Sequence, residues 1–594
     1  MPFRFKLLFR KLFGKKMSSQ FKEVPSGVVV IQKLAATCCP RRRFNRQLCY
    51  QSSILFLTYV SYMCYHLTRK PISVVKSVLH QNCTSLVPPP DIIIDPTNNA
   101  TWCDWAPFDG ADSDATALLG TLDSAFLFAY AIAMFFSGLV AERVNLRYFL
   151  SLGMILSGTF SYMFGIARSY DIHSISYFIF VQAAAGIAQT TGWPGVVTVV
   201  GKWFGKGKRG LIFGIWNSHT SIGNILGTVI AARFVETDWS LSFIIPGFIM
   251  AITGFIVFLF LVEDPQDVGL QAPDNPSGRN ELYRRLEAGR GRGSDDSDQS
   301  DDGEQVLVGG EANQAAIKYD AYAMAYKGSF DHTACNRSHR APNQEYSINS
   351  NPEGPISRHS PSESTTLLGG TTSLSAAPEM KAVGFMGALR IPGVIEFSLS
   401  LFFAKLVSYT FLYWLPLYIK DTTDLGPKTS ADLSTTFDLG GIMGAILAGV
   451  LSDWSGMSAT TCAFMLLLAA PMMMVYQWFG TINYGMNVFL LIVVGLLVNG
   501  PYALITTAVS AELGTHSSLE GNSKALATVT AIIDGTGSIG AAIGPMLAAV
   551  VSSRGWAQVF YMLICCDFLA LILLLRLVKH EIQRCRQHRP GPIE

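Results

Sequence analysis

The chain has 594 residues, of which 49% are hydrophobic and only 15% charged, and its mean hydropathy is +0.31. That balance excludes an ordinary soluble globular protein and predicts an integral membrane protein with many spans. The formal net charge of +2 says little, because the charges are sorted along the chain rather than mixed.

Apolar runs of the ~20 residues that cross a bilayer fall near 48–78, 117–140, 148–167, 174–200, 210–234, 241–263, 392–419, 432–452, 458–478, 485–511, 525–551 and 556–577. The expected fold is all-α, with twelve transmembrane helices in two pseudosymmetric six-helix bundles. Residues 1–46 carry twelve Lys/Arg, the 79–116 loop carries none, and Arg576, Lys579, Arg584, Arg586 and Arg589 follow the last run. By the positive-inside rule both termini are cytoplasmic, as an even number of spans requires. The basic amino-terminal segment reads as a topology signal rather than a nucleic-acid or lipid patch, and no nucleic-acid partner is expected. No cleavable signal peptide is expected, since the first long apolar run begins too late. The predicted division is a basic cytoplasmic segment 1–47, a first bundle 48–263, a cytoplasmic linker 264–391, a second bundle 392–578 and a tail 579–594.

The first span contains Tyr62-Met-Cys-Tyr65-His66-Leu-Thr-Arg69-Lys70-Pro71. A basic residue at mid-bilayer costs about 2.5–3.5 kcal/mol, so such residues usually face a cavity and a partner. Helical spacing puts Tyr62, Arg69 and Lys76 on one face, with Tyr65, His66 and Ser73 beside them, and turns Lys70 about 100° away. A guanidinium flanked by aromatic hydroxyls suits an oxyanion, phosphate above all. The competing reading is a helix end whose Arg69 and Lys70 snorkel to lipid headgroups.

In the following loop, Asn82-Cys83-Thr84 and Asn99-Ala100-Thr101 are glycosylation sequons, and Cys83 and Cys103 are a candidate disulfide. All three features place this loop in the lumen or outside. The eleven cysteines show no metal-ligand spacing, and no metal or cofactor is expected. Cys38-Cys39 and Cys565-Cys566 read as packing or palmitoylation sites.

The second span carries Asp123 and Tyr130 and ends in Gly138-Leu-Val-Ala-Glu142-Arg143-Val-Asn-Leu-Arg147. A related pattern, Gly449-Val-Leu-Ser-Asp453-Trp-Ser-Gly456, recurs after the eighth span. Ile222-Gly223 and Ile539-Gly540 echo one another in the same way, and together these repeats indicate duplication. Between the halves, residues 264–390 are acidic, Ser-rich and Pro-rich without apolar periodicity, which predicts a disordered linker. Glu363-Ser-Thr-Thr-Leu367-Leu368 there has the form of an acidic dileucine sorting signal. The seventh span supplies a second intramembrane cation, Lys405, with Tyr409 and Tyr413 at helical spacing. Spans 1 and 7 are equivalent under the duplication, which brings Arg69 and Lys405 to one central cavity. Asp534, in the eleventh span, reads as a helix cap at a break or as a proton site.

Taken together these residues resemble the organophosphate:phosphate antiporters of the major facilitator superfamily, and among them the eukaryotic sugar-phosphate exchangers related to the glucose-6-phosphate transporter. The Tyr62 to Lys70 stretch is similar to that family's tyrosine-rich first-helix pattern ending in Arg-Lys, with His66 at a tyrosine position and Tyr65 beside it. Tyr130 matches a binding-site tyrosine, while the Gly138 to Arg147 and Gly449 to Gly456 loops resemble the signature of the whole superfamily. The chain departs from bacterial relatives at Met134, where they carry lysine, and at Thr220, where they carry histidine and this chain has His219 next door. Lys405 stands about one turn from the family's seventh-helix cation.

The resemblance implies exchange of a sugar phosphate, glucose 6-phosphate first, for inorganic phosphate, with an endoplasmic reticulum address and the plasma membrane or lysosome as alternatives. Arg69 and Lys405 would compensate the phosphate, and Tyr62, Tyr65, His66, Tyr130, His219 and Tyr409 would line the site. An empty cavity with two facing cations would resist rocking, which makes exchange obligatory. The rival readings are a proton-coupled organic anion transporter using Asp534, a polytopic membrane enzyme, and a non-transporting sensor. The chain carries no signal of oligomeric state.

Overall fold

The chain was described as a computed structural model covering residues 24–38, 45–81, 83, 102–110, 112–141, 143–204, 215–270, 385–514 and 525–587. These residues are helical almost throughout and form no strand. Following an amino-terminal helix, Ser26–Cys38, the first six spans are α1 (Arg46–Arg69, continued by Pro71–Leu79), α2 (Asp112–Ala141), α3 (Leu146–Ile166), α4 (Ile175–Gln189, continued by Gly192–Phe204), α5 (Ser218–Phe234) and α6 (Leu241–Phe260). The second six are α7 (Val394–Thr422), α8 (Pro427–Ser455), α9 (Ser458–Phe479), α10 (Tyr484–Leu504, running through a π turn at Ile505–Val509 to Ser510–Leu513), α11 (Ala525–Ser552) and α12 (Trp556–Gln587). Among the described residues nine helices are long and apolar enough to cross a membrane. The three spans that fall short are α1, α4 and α5. Each is broken, short or polar in its middle, and it is their polar residues that face inward.

The two breaks have local causes. Proline cannot donate to the preceding turn, so α1 stops at Arg69 and restarts at Pro71. Ser73 takes up the carbonyl at the junction, its amide and its hydroxyl both donating to Lys70 O at 3.0 and 2.7 Å. The break in α4 precedes Gly192-Trp193-Pro194, and there Ser137 of α2 donates to the Thr190 carbonyl at 2.7 Å. Both repairs satisfy the demand that backbone groups inside a membrane find partners.

The halves repeat each other's packing. In the first, α1 lies along α5, α2 along α4 and α3 along α6; in the second, α7 lies along α11, α8 along α10 and α9 along α12. The contacts between halves, α2 with α11 and α5 with α8, exchange with one another under the same twofold relation. The ends of the bundles repeat as well. Glu263, just past α6, accepts from the Leu146 amide at the start of α3 at 2.9 Å and from Lys202 Nζ at 2.7 Å. Glu581, near the end of α12, accepts from the Ala459 and Thr460 amides at the start of α9 at 2.9 and 2.8 Å. A carboxylate at a helix amino terminus is favoured by the unpaired N–H groups there.

Cys83 and Cys103 form a disulfide. Asp104 beside it accepts from the Gln81 amide at 2.9 Å and pairs with His80 at 3.0 Å, fastening the loop to the end of α1. Burial pushes the Asp104 carboxyl above the usual carboxylate range. Cys83, Cys103 and Asp104 are close enough together for a metal, but the bonded sulfurs offer no thiolate. Asn82, Asn99, the linker from 271 to 384 and its dileucine pattern lie outside the described residues.

Candidate functional site

Glycine contacts fix how the halves correspond. A Cβ on Gly223 or Gly227 of α5 would stand 2.4 and 2.6 Å from the carbonyls of Met63 and Leu67. On Gly540 and Gly544 of α11 it would stand 1.9 and 2.5 Å from those of Phe402 and Leu406. Two Gly-x-x-x-Gly stripes thus grip α1 and α7 in the same way, and Met63 corresponds to Phe402, Leu67 to Leu406. Lys405 is therefore the counterpart of His66 and not of Arg69. The expected equivalence of the two cations is corrected by about one helical turn.

Arg69 is buried where the halves meet. Its Nε donates to Gln189 Oε1 of α4 at 2.6 Å, and Gln189 Nε2 donates in turn to Thr68 Oγ1 at 3.1 Å. Its Nη1 donates across the interface to the Tyr409 hydroxyl at 3.4 Å, and its Cζ lies 4.7 Å from the centre of the Tyr130 ring. Nη2 makes no hydrogen bond among the described residues, and no carboxylate there pairs with Arg69. Snorkelling to headgroups is ruled out by this burial. The guanidinium also borders a cavity bounded by Asp123 and Gln182 of the first half and by Tyr413 of the second, among others.

Lys405 is differently placed. Its Nζ donates to Asp534 Oδ1 at 2.5 Å and to Ser538 Oγ at 3.4 Å, and the other Asp534 oxygen accepts from the Tyr130 hydroxyl at 3.3 Å. Asp534 stands inside the continuous helix α11, so it is no helix cap. The picture of two uncompensated cations facing each other is also corrected, because Lys405 arrives with a carboxylate. Tyr409 touches both cations, its hydroxyl accepting from Arg69 and its ring lying 5.8 Å from Lys405 Nζ, while Tyr130 bridges Arg69 and Asp534. Lys76 pairs with Asp123 and stacks 4.3 Å from the Trp414 ring. Lys70, 100° round from Arg69 as expected, does not leave the protein: its Nζ donates to Leu412 O of α7 at 2.8 Å.

The structure brings Arg69, Lys405, Tyr130 and Tyr409 together with Tyr62, whose ring packs against Tyr65, His66, Trp193 and His219 at 4.9–5.7 Å. Tyr65 is set apart: its hydroxyl bonds Thr191 at 2.9 Å and its ring fills the space over Gly192. His219 is packed edge-on to Trp216 at 4.4 Å and meets Thr220 Oγ1 at 3.2 Å. His66 faces α5, its Nδ1 3.2 Å from Asn224 Oδ1. Sequence reasoning missed Gln189, the direct partner of Arg69, although an amide in an apolar span was a visible signal. It also missed Asp438, whose Oδ1 accepts from Asn224 Nδ2 at 2.8 Å.

Two duplicated six-helix bundles closing over a buried, unpaired guanidinium define a polytopic membrane transporter of the alternating-access kind. Residues 99–519 match the family described as Major Facilitator Superfamily, and the chain belongs to that superfamily. It is 51% identical over 542 residues to the mouse glucose-6-phosphate exchanger SLC37A2, covering 91% of this chain and 94% of that protein. The human glucose-6-phosphate exchanger SLC37A2 is 50% identical over 545 residues, again 91% and 94%. The mouse glucose-6-phosphate exchanger SLC37A1 is 46% identical over 563 residues, 92% of this chain and 96% of its own length.

Proposed function

We propose that the protein exchanges a sugar phosphate, glucose 6-phosphate first among them, for inorganic phosphate by alternating access. The substrate crosses unchanged, and the protein acts as a carrier rather than an enzyme. One observation carries the reading: Arg69 is a buried guanidinium without a carboxylate among the described residues, faced by the Tyr409 hydroxyl of one half and the Tyr130 ring of the other. The names of the relatives support the choice of sugar phosphate.

Arg69 offers its planar edge to two phosphate oxygens, which a point charge cannot match. Lys405 reaches a phosphate only by sharing or leaving Asp534, so the carboxylate acts as a stand-in anion while the site is empty. Tyr62, Tyr130 and Tyr409 donate hydroxyls to the remaining oxygens, with His66 beside them. Tyr65 and His219 hold the wall behind Tyr62. Obligatory exchange follows from Arg69 alone. Rocking the empty carrier would carry a buried, unpaired charge through the occluded state, and a bound anion removes that cost.

The address we propose is the endoplasmic reticulum membrane, with both termini and the 264–391 linker cytoplasmic and glycans on Asn82 and Asn99. The resemblance to eukaryotic sugar-phosphate exchangers and the distribution of Lys/Arg support it. Imaging of the tagged protein against organelle markers distinguishes this from the plasma membrane or the lysosome.

Counter-flow in proteoliposomes tests the transport reading. Uptake of labelled glucose 6-phosphate should require phosphate inside the vesicle and be indifferent to a proton gradient. Uptake that follows the proton gradient and ignores internal phosphate would replace exchange with symport through Asp534.

A further inference from the structure

The twofold relation that superimposes the halves also exposes a difference between the two sides of their interface. On the α2/α11 side, Lys405 meets Asp534 and the Tyr130 ring fills the remaining space. The glycine register carries Lys405 onto His66, and Asp534 onto Asn217, since Gly540 corresponds to Gly223. The register of α2 against α8 comes from another pair of close approaches: a Cβ on Gly186 would meet the Phe126 carbonyl at 2.3 Å, and one on Gly495 would meet the Phe437 carbonyl at 2.1 Å. Tyr130 therefore corresponds to Gly441. Where one side has an ion pair and a phenol, the α5/α8 side has an imidazole, an amide and a glycine.

A cleft occupies that side, bordered by His66, Asn217, Asn224, Asp438, Gly441 and Asn499. Its polar groups are carboxamides, hydroxyls and one carboxylate, already ordered: Asn224 Nδ2 donates to Asp438 at 2.8 Å and Ser408 Oγ donates to Asn499 Oδ1 at 2.6 Å. The buried His66 Nε2 makes no hydrogen bond among the described residues. Phe437 and Tyr502 supply aromatic surface on the same cleft. The cleft joins the Arg69 region through Tyr409, which borders it and accepts from Arg69.

We infer that this cleft is the sugar subsite, in which Asp438, Asn224 and Asn499 read the hydroxyls of a polyol phosphate whose phosphate lies at Arg69. The inference rests on the exchange reading above and deepens it. Hydroxyls both donate and accept, so they pair with carboxylates and carboxamides, whereas a phosphate accepts only. The negative charge of Asp438 would repel a phosphate, and the positive charge of Arg69 attracts one. The ligand is thereby oriented, anion toward α2 and α4, polyol toward α5 and α8. Aromatic faces suit the C–H surface of a pyranose ring.

The test compares glucose 6-phosphate, glycerol 3-phosphate and inorganic phosphate as substrates in proteoliposomes for wild type, Asp438→Asn and Gly441→Ala. A methyl on Gly441 would stand 2.8 Å from Asn499 Nδ2 and 3.0 Å from Ser221 Oγ, narrowing the cleft without removing a charge. In both variants the ratio of KM for glucose 6-phosphate to KM for phosphate should rise, by about tenfold or more in Asp438→Asn, where a charged hydrogen bond is lost. The shorter glycerol 3-phosphate should be affected less. An unchanged ratio, with all three substrates weakened together, overturns the subsite. If Asp438→Asn does not fold, Gly441→Ala decides alone. A wild type that exchanges phosphate but refuses glucose 6-phosphate overturns the exchange reading itself, an outcome visible before any variant is compared.

Discussion

Lys70 caps a carbonyl that Pro416 leaves without a donor. In an uninterrupted helix the amide four residues on would bond Leu412 O, but position 416 of α7 is proline and has none. Lys70 Nζ, from the opposite half of the molecule, takes that place at 2.8 Å. A single ammonium of one half thus repairs a helix of the other.

Lys70→Met should therefore act on stability before it acts on binding. A buried carbonyl left unpaired costs about 1–3 kcal/mol. The melting temperature in detergent should fall clearly. Pro416→Ala restores the missing amide, so the double variant should recover part of that loss. An additive double variant would show that the two residues are not coupled.

Arg69→Ala should lower phosphate affinity by tenfold or more, the equivalent of losing a charged hydrogen bond worth about 1.5–3 kcal/mol. Arg69→Lys should fail almost as badly, since the planar fork is lost and Gln189 then faces a point charge. Exchange normalised to folded protein is the measurement. Near-normal exchange by Arg69→Ala would remove the guanidinium from the site.

Lys405 and Asp534 should behave as a pair. Each single neutralisation, Lys405→Met or Asp534→Asn, leaves a buried charge uncompensated and should destabilise by about 3–5 kcal/mol. The double variant should regain folded yield yet exchange poorly, because a phosphate then loses its second cation. If the double variant transports like wild type, Arg69 suffices and Lys405 is structural.

Deglycosylation should increase the mobility of the wild type on a gel and leave Asn82→Gln/Asn99→Gln unaffected. Identical migration of both before and after enzyme treatment would mean unused sequons or the opposite topology. Labelling of Cys83 and Cys103 after reduction, from one side of sealed membranes, separates these two cases.

The spans and the burial of Arg69 were readable in the sequence because apolar runs mark helices that cross a bilayer, and a basic residue inside one is rare and costly wherever it occurs. The pairing of Lys405 with Asp534 was not. The two lie 129 positions apart, and an apolar run fixes the depth of a residue no better than about one turn. That same uncertainty produced the mistaken match of Arg69 with Lys405, two cations that look alike in chemistry but differ in register. The glycines held the correct register in plain view. Gly223 and Gly540 sit at corresponding places in Ser-Ile-Gly, and small residues that admit a neighbouring backbone are a better ruler than charges, which evolve with the ligand. The neighbours of Tyr65 and His219, Thr191 and Trp216, were not readable either, since an aromatic hydroxyl or imidazole near a cavity is chemically suited to a ligand whichever way it points.

Glu263 and Glu581 have a mechanical meaning for the transport cycle. Each ties the last helix of its half to the amino terminus of the third, at the same end of the molecule. Within a half, these outer helices are clasped and cannot slide past one another cheaply. The surfaces between the halves, α2 on α11 and α5 on α8, are held more lightly: on the α5/α8 side Glu236, just past α5, accepts from the Lys428 amide at the start of α8 in a single bond of 3.4 Å. Strain imposed by ligand entry should therefore gather along those two seams and leave each bundle nearly undeformed. The molecule would work as two stiff shells with soft joints, and stiffness at its rim would set how far the joints must open.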